Sequence, residues 1–173
     1  MSRGVDDEVR RPKYACIERE RRWLVDRPRR PDLPIEFVLI EDRYITGTRL
    51  RLRRMTDHAS GRIVLKLTKK YDAVDPLARP IVTAYLSEDE FALLAQLPAA
   101  ALSKHRYAVA DDGLRFSIDR FNGDLTGLEL AEIETADDSD LRAVPSPDWT
   151  IRDVSDDPRY QGGKLAAHGI PKE

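Results

Sequence analysis

Glu18, Glu20 and Arg22 hold alternate positions in the stretch Glu18-Arg19-Glu20-Arg21-Arg22-Trp23-Leu24-Val25. On a β-strand, alternate side chains share a face, so two carboxylates and a guanidinium would stand together. Carboxylates are hard oxygen donors suited to Mg²⁺ or Mn²⁺, and the arginine fork matches phosphate oxygens. The pattern recurs along the chain. Arg49, Arg51 and Arg53 alternate with Leu50 and Leu52, Lys66, Thr68 and Lys70 with Leu67 and Lys69, and Glu132 and Glu134 flank Ile133. Like charges side by side on a strand repel. A bound polyanion would neutralise the bases, and a divalent cation would relieve the paired acids.

These residues need strands to aim them. Periodicity predicts strands over Tyr14–Val25, Ile35–Tyr44, Thr48–Arg53, Arg62–Lys70, Ile81–Leu86, Lys104–Val109, Leu114–Asp119, Leu128–Thr135 and Thr150–Val154. Gly61 and Asp111-Asp112-Gly113 mark hairpin turns. Ser87-Glu88-Asp89-Glu90 is a capping box that opens a helix. Asp137–Val144 and the segment after Gly162-Gly163 read as further short helices. Several strands carry one charged and one apolar face. A closed barrel with helices outside places the charges within. An open sheet would instead leave the charged faces in water; either way the expected class is α+β, mainly β, with roughly eight strands. Residues 1–13 read as a loose tail and 14–173 as a single barrel domain.

The chain has 173 residues, with 29 Lys and Arg against 31 Asp and Glu, for a net charge of −2. That balance argues against general nucleic-acid binding, which favours strongly basic chains. Cys16 stands alone, so no internal disulfide forms, and it reads as a packing residue. No apolar run is long enough for a membrane span, and the expected location is the cytoplasm. Whether the chain forms a homodimer is left open. His58, His105 and His168 show no metal-ligand spacing, and Gly162-Gly163 lacks the basic pattern of a phosphate loop. Glu129 is an oddity, a charge in an expected apolar slot that points away from Glu132 and Glu134.

The sequence resembles the CYTH-domain proteins of the triphosphate tunnel metalloenzyme superfamily. The family signature Glu-x-Glu-x-Lys reads Glu18-x-Glu20-x-Arg22 here. Further similar stretches are Gly47–Arg53, Lys66–Lys70, Lys104–Tyr107, Ile118–Gly123, Leu128–Glu134 and Asp157–Tyr160. The resemblance implies an eight-stranded antiparallel closed barrel with helices packed outside, forming a tunnel that binds a triphosphate with basic residues and one or two divalent cations, Mg²⁺ or Mn²⁺, with acidic ones. Carried onto this chain, it implies metal ligands at Glu18, Glu20, Asp119, Glu132 and Glu134. It implies phosphate contacts at Arg22, Arg49, Arg51, Arg53, Lys66, Lys70, Arg106 and Lys164, with Lys104 a weaker contact. The signature lysine is Arg22, which stays protonated and cannot act as a general base. Lys66, Lys104 and Tyr44 are the alternatives, and the sequence does not choose among them.

The expected function is metal-dependent hydrolysis of a small anionic triphosphate, with inorganic tripolyphosphate first. Two other readings stand beside it. One is a class IV-like adenylate cyclase, although no base-recognition group is evident. The other is a module that binds polyphosphate or a nucleotide triphosphate without turnover.

Overall fold

The computed structural model describes residues 12–172. The first eleven residues of the predicted tail lie outside that range. Nine strands form: β1 (Cys16–Val25), β2 (Val38–Ile45), β3 (Leu50–Asp57), β4 (Ile63–Lys70), β5 (Ala78–Tyr85), β6 (Ala99–Asp111), β7 (Leu114–Phe121), β8 (Glu129–Glu134) and β9 (Thr150–Asp153). Three short helices accompany them: α1 (Glu88–Leu94), α2 (Asp138–Ala143) and α3 (Gly162–His168). The hydrogen-bonded order is β5-β4-β3-β2-β6-β7-β8-β1, and β1 pairs back onto β5. Eight antiparallel strands thus close into a ring, as the resemblance implies. The closing seam is short. Cys16 to Arg19 pair with Ile81 to Ala78, after which β5 departs and β9 takes over the same edge of β1 from Trp23.

Closure turns the usual polarity of a small domain inside out. The outward side chains of β1, β7 and β8 supply the apolar core. Trp23, Phe116, Ile118, Ala131 and Ile133 pack beneath Leu141, Val144 and Trp149. Trp23 meets Phe116 edge-on at 6.0 Å between ring centroids, and Phe116 meets Trp149 at 5.5 Å. Burial of each such side chain contributes about 1.5–3 kcal/mol. The inner face is then free to hold charge.

A second apolar cluster closes one end of the barrel. Leu102, Phe121 and Leu130 from the wall pack on Tyr160 and on Leu165 of α3, with Tyr44 alongside. A Cβ at Gly162 would collide with the Tyr44 hydroxyl, so α3 seats this closely only with glycine there.

The capping box forms as predicted. Ser87 Oγ accepts from the Glu90 amide, and the Ser87 amide donates to Glu90 Oε2 at 2.8 Å. Three expectations differ. β5 starts at Ala78 rather than Ile81, and β6 at Ala99 rather than Lys104. Cys16 is exposed rather than packed, as the first residue of β1.

Candidate functional site: a charged barrel interior

The barrel encloses a cavity of about 710 Å³. Register explains its lining. Arg51 pairs with Tyr44 and Thr68, Arg53 with Asp42 and Lys66, Arg106 with Asp119, and Glu20 with Glu134. Even-numbered positions of β1, β2, β4, β6 and β8 therefore share the inner face with odd-numbered positions of β3, β5 and β7.

Most of these charges engage one another. Arg22 donates from Nε to Glu132 Oε1 and from Nη2 to Glu20 Oε1, both at 2.9 Å, and from Nη1 to the Tyr160 carbonyl at 3.0 Å. Arg106 grips Asp119 with two hydrogen bonds of 2.7 Å and also reaches Glu132 Oε2. Lys104 donates to Asp119, and Lys70 to Glu18. Arg53 holds Asp42 in a fork of 2.6 and 2.7 Å.

Two groups stand apart. Arg51 Nε is buried with no hydrogen-bond partner. Among the described residues Glu134 has neither an ion pair nor a hydrogen bond, and its side chain is exposed. Partial burial, then the charges of Glu18 and Glu20, push the Glu134 carboxyl above its ordinary value. Among the described residues, then, a buried guanidinium nitrogen and a carboxylate stand without hydrogen-bond partners on the walls of the same cavity.

The acids divide by environment. Burial opposes ionisation of Glu132, but Arg22 and Arg106 outweigh it and hold the carboxyl well below the usual range. Burial also opposes the charge of Glu18, and Lys70 outweighs it. Asp42 behaves alike under the Arg53 fork. A carboxyl depressed in the folded state stabilises the fold above its unfolded pKa, and that stability is lost as pH falls through the folded value. Asp42→Asn is expected to lower stability at neutral pH by about 3 kcal/mol, because it strands the buried Arg53 charge. It should also flatten the loss of stability below about pH 4. Denaturant midpoints across this range measure both, and an unchanged acid slope would remove Asp42 from this role.

No family model matches the chain. Over 64 residues it is 38% identical to a protein of Acetivibrio thermocellus described as an inorganic triphosphatase; the match spans 37% of this chain and 40% of that protein. A crystal structure of the hypothetical protein NE1496 superposes with a TM-score of 0.59 at 26% identity, covering 89% of this chain and 99% of that one. The chain shares the fold of NE1496. A second NE1496 structure, described as the inorganic triphosphatase, gives a TM-score of 0.58 at 24% identity over 90% and 97% of the two chains, and speaks to the fold.

Within the tunnel the expected residues are distributed unevenly. Glu18, Glu20, Arg22, Arg49, Arg51, Arg53, Lys70, Arg106, Glu132, Glu134 and Lys164 all line the cavity. Arg49 stands at its margin, paired with Asp72. Lys66 shares the inward register but does not line the cavity; its ammonium sits 5.3 Å from the centre of the Tyr85 ring. Asp119 differs most from the expectation of a metal ligand. It is fully buried behind the cavity wall, and Lys104 and Arg106 occupy both of its oxygens. Of the alternatives for a base, Tyr44 is pushed up to about 12 by burial and by Asp42, so it is a neutral phenol near pH 7. Lys104 lines the cavity, and its burial lowers its pKa.

Sequence reasoning missed Arg79, Asp42 and the backbone contact from Tyr160. Arg79 lines the tunnel in register with Glu18. Residues 71–80 show no strand periodicity, yet Arg79 and Pro80 lie in β5, and proline is compatible with a strand edge or start.

Among the described residues no three metal-donor side chains are closed around one point. The donor set nevertheless suits a hard cation. Glu18 and Glu20 share a face, Glu134 lies opposite Glu20, and partial burial followed by the charges of Glu18 and Glu20 raises Glu134.

Proposed function

We propose that this protein hydrolyses a triphosphate inside its tunnel with the help of a divalent cation, Mg²⁺ or Mn²⁺, and that inorganic tripolyphosphate is its substrate. The observation that carries this reading is the buried Arg51 Nε without a hydrogen-bond partner, set among other bases in the cavity that Glu134, unpaired among the described residues, also lines. The description of the Acetivibrio thermocellus relative supports the reaction class. The chain spans less than half of that relative, so the activity rests on the site as well.

Phosphoryl transfer calls mainly for positioning and charge stabilisation. Arg51 and Arg79 are disposed to bind phosphate oxygens directly. Arg22, Lys70 and Arg106 would exchange part of their carboxylate contacts for phosphate oxygens. Asp119 keeps Arg106 and Lys104 aimed at the cavity. Glu18, Glu20 and Glu134 would hold the cation, with Glu132 setting Arg22 and Arg106 between them. The bound cation supplies charge neutralisation at the phosphate oxygens. Lys104 lines the wall and its burial lowers its pKa, and it is the residue we assign to proton handling. No described helix is long and apolar enough to cross a membrane, and we place the enzyme in the cytoplasm.

The test is phosphate release from tripolyphosphate, ATP and thiamine triphosphate with Mg²⁺ or Mn²⁺. Release that is fastest with tripolyphosphate is expected. Cyclic AMP from ATP would shift the reading to a cyclase. Tight binding of every triphosphate without release would make the protein a binding module.

A further inference from the structure

Glu129 lies on the outer face of β8, opposite Arg120 of β7. Its side chain is 1% exposed, yet three guanidinium groups converge on it. Arg30 Nε reaches Oε2 at 2.6 Å, while Arg120 Nε at 3.1 Å and Arg27 Nε at 3.4 Å approach Oε1. One carboxylate cancels one of three charges, so the cluster keeps a surplus of two. Arg30 alone, buried to 13% exposure, already neutralises Glu129; Arg27 and Arg120 are the more exposed additions.

Arg27 and Arg120 line an outer cavity of about 240 Å³ together with the loop 122–128. Both meet Glu129 through Nε, and among the described residues their terminal nitrogens have no protein acceptor within hydrogen-bonding distance. Cavities for drug-sized molecules measure roughly 300–1,000 Å³, so this space suits a single small ion or group. A phosphate group carries about two negative charges near neutral pH, which matches the surplus. Paired guanidinium forks are the side chains best shaped to receive it.

We propose that this outer cavity is a second oxyanion site, built to take one phosphate group and separate from the tunnel. The group arrives either as inorganic phosphate or at the end of a phosphomonoester, and the cavity receives the group itself.

Amide NMR shifts of Gly123, Thr126 and Gly127, in the full chain at fixed ionic strength, read occupancy directly. Inorganic phosphate and glycerol phosphate are titrated separately, and the tighter of the two identifies the source. Saturable shifts are expected in the unmodified protein and in Arg51→Ala, whose lesion is confined to the tunnel. Arg27→Gln combined with Arg120→Gln is expected to weaken binding by at least about tenfold. Arg27→Gln alone, at a largely exposed position, gives a weakening of about fivefold and keeps the experiment readable if the double variant unfolds. Absence of saturable shifts with both ligands overturns the proposal. So does unchanged affinity in the arginine variants, or loss of the shifts in Arg51→Ala.

Discussion

Glu134→Gln is expected to lose at least about a hundredfold in turnover while the barrel remains as stable as before. Glu134 makes no ion pair or hydrogen bond among the described residues, so its removal strands nothing. Burial and the neighbouring Glu18 and Glu20 raise its pKa. A carboxyl raised in the folded state favours folding below its unfolded pKa, and that contribution is lost as pH rises through the folded value. Glutamine removes the repulsion, so at neutral pH the variant should melt at the same temperature as the parent or slightly above it. Glu132→Gln is the contrast. Glu132 joins Arg22 to Arg106, and its loss leaves two buried guanidinium groups short of charge. Breaking a buried ion pair costs about 3–5 kcal/mol, so this variant should lose both stability and activity. Turnover with tripolyphosphate and thermal midpoints, measured in parallel, separate the two. Full activity in Glu134→Gln would end its assignment to the cation.

A similar contrast separates Arg51 from Arg53, two residues apart on the same strand face. Arg51→Ala is expected to reduce kcat/KM for tripolyphosphate by about a hundred- to a thousandfold. Its Nε is buried without a hydrogen-bond partner, so truncation forfeits only attraction to Glu18 and Asp42 and should lower the melting temperature little. Arg53→Ala leaves Asp42, which is 1% exposed, without its fork, and should cost about 3–5 kcal/mol of stability. If Arg51→Ala binds and turns over tripolyphosphate normally, the tunnel reading loses its main support.

The sequence displays the barrel where the faces differ most. In Thr48–Arg53 strict alternation of arginine with leucine marks a two-faced strand, and the charged side belongs inside because the ring closes. Pairings across strands are harder to see. Asp42 sits between Glu41 and Arg43, where nothing in the sequence marks it as inward, and only the β2–β3 register brings it opposite Arg53. Asp119 reads as one more acid near the others, but pairing with β6 gives it to Lys104 and Arg106. Proline and alanine hide strand ends. Pro80 obscures the start of β5 and with it Arg79, and Ala99-Ala100-Ala101 after Pro98 carries no β signal, although those residues open β6. Glu129 stands out in the sequence, whereas its partners Arg27 and Arg30, from the connection before β2, are visible only in three dimensions.

The four-residue seam between β1 and β5 bears on how the wall breathes. A ring held at one joint by so few ladder bonds should part there first, so amides of Cys16–Arg19 and Ala78–Ile81 should exchange hydrogen faster than those of the long β6–β7 ladder. Glu18 lies on one lip of that joint and Arg79 on the other. A ligand gripping both sides rivets the hoop shut, so tripolyphosphate with Mn²⁺ should slow exchange at the joint more than anywhere else in the wall.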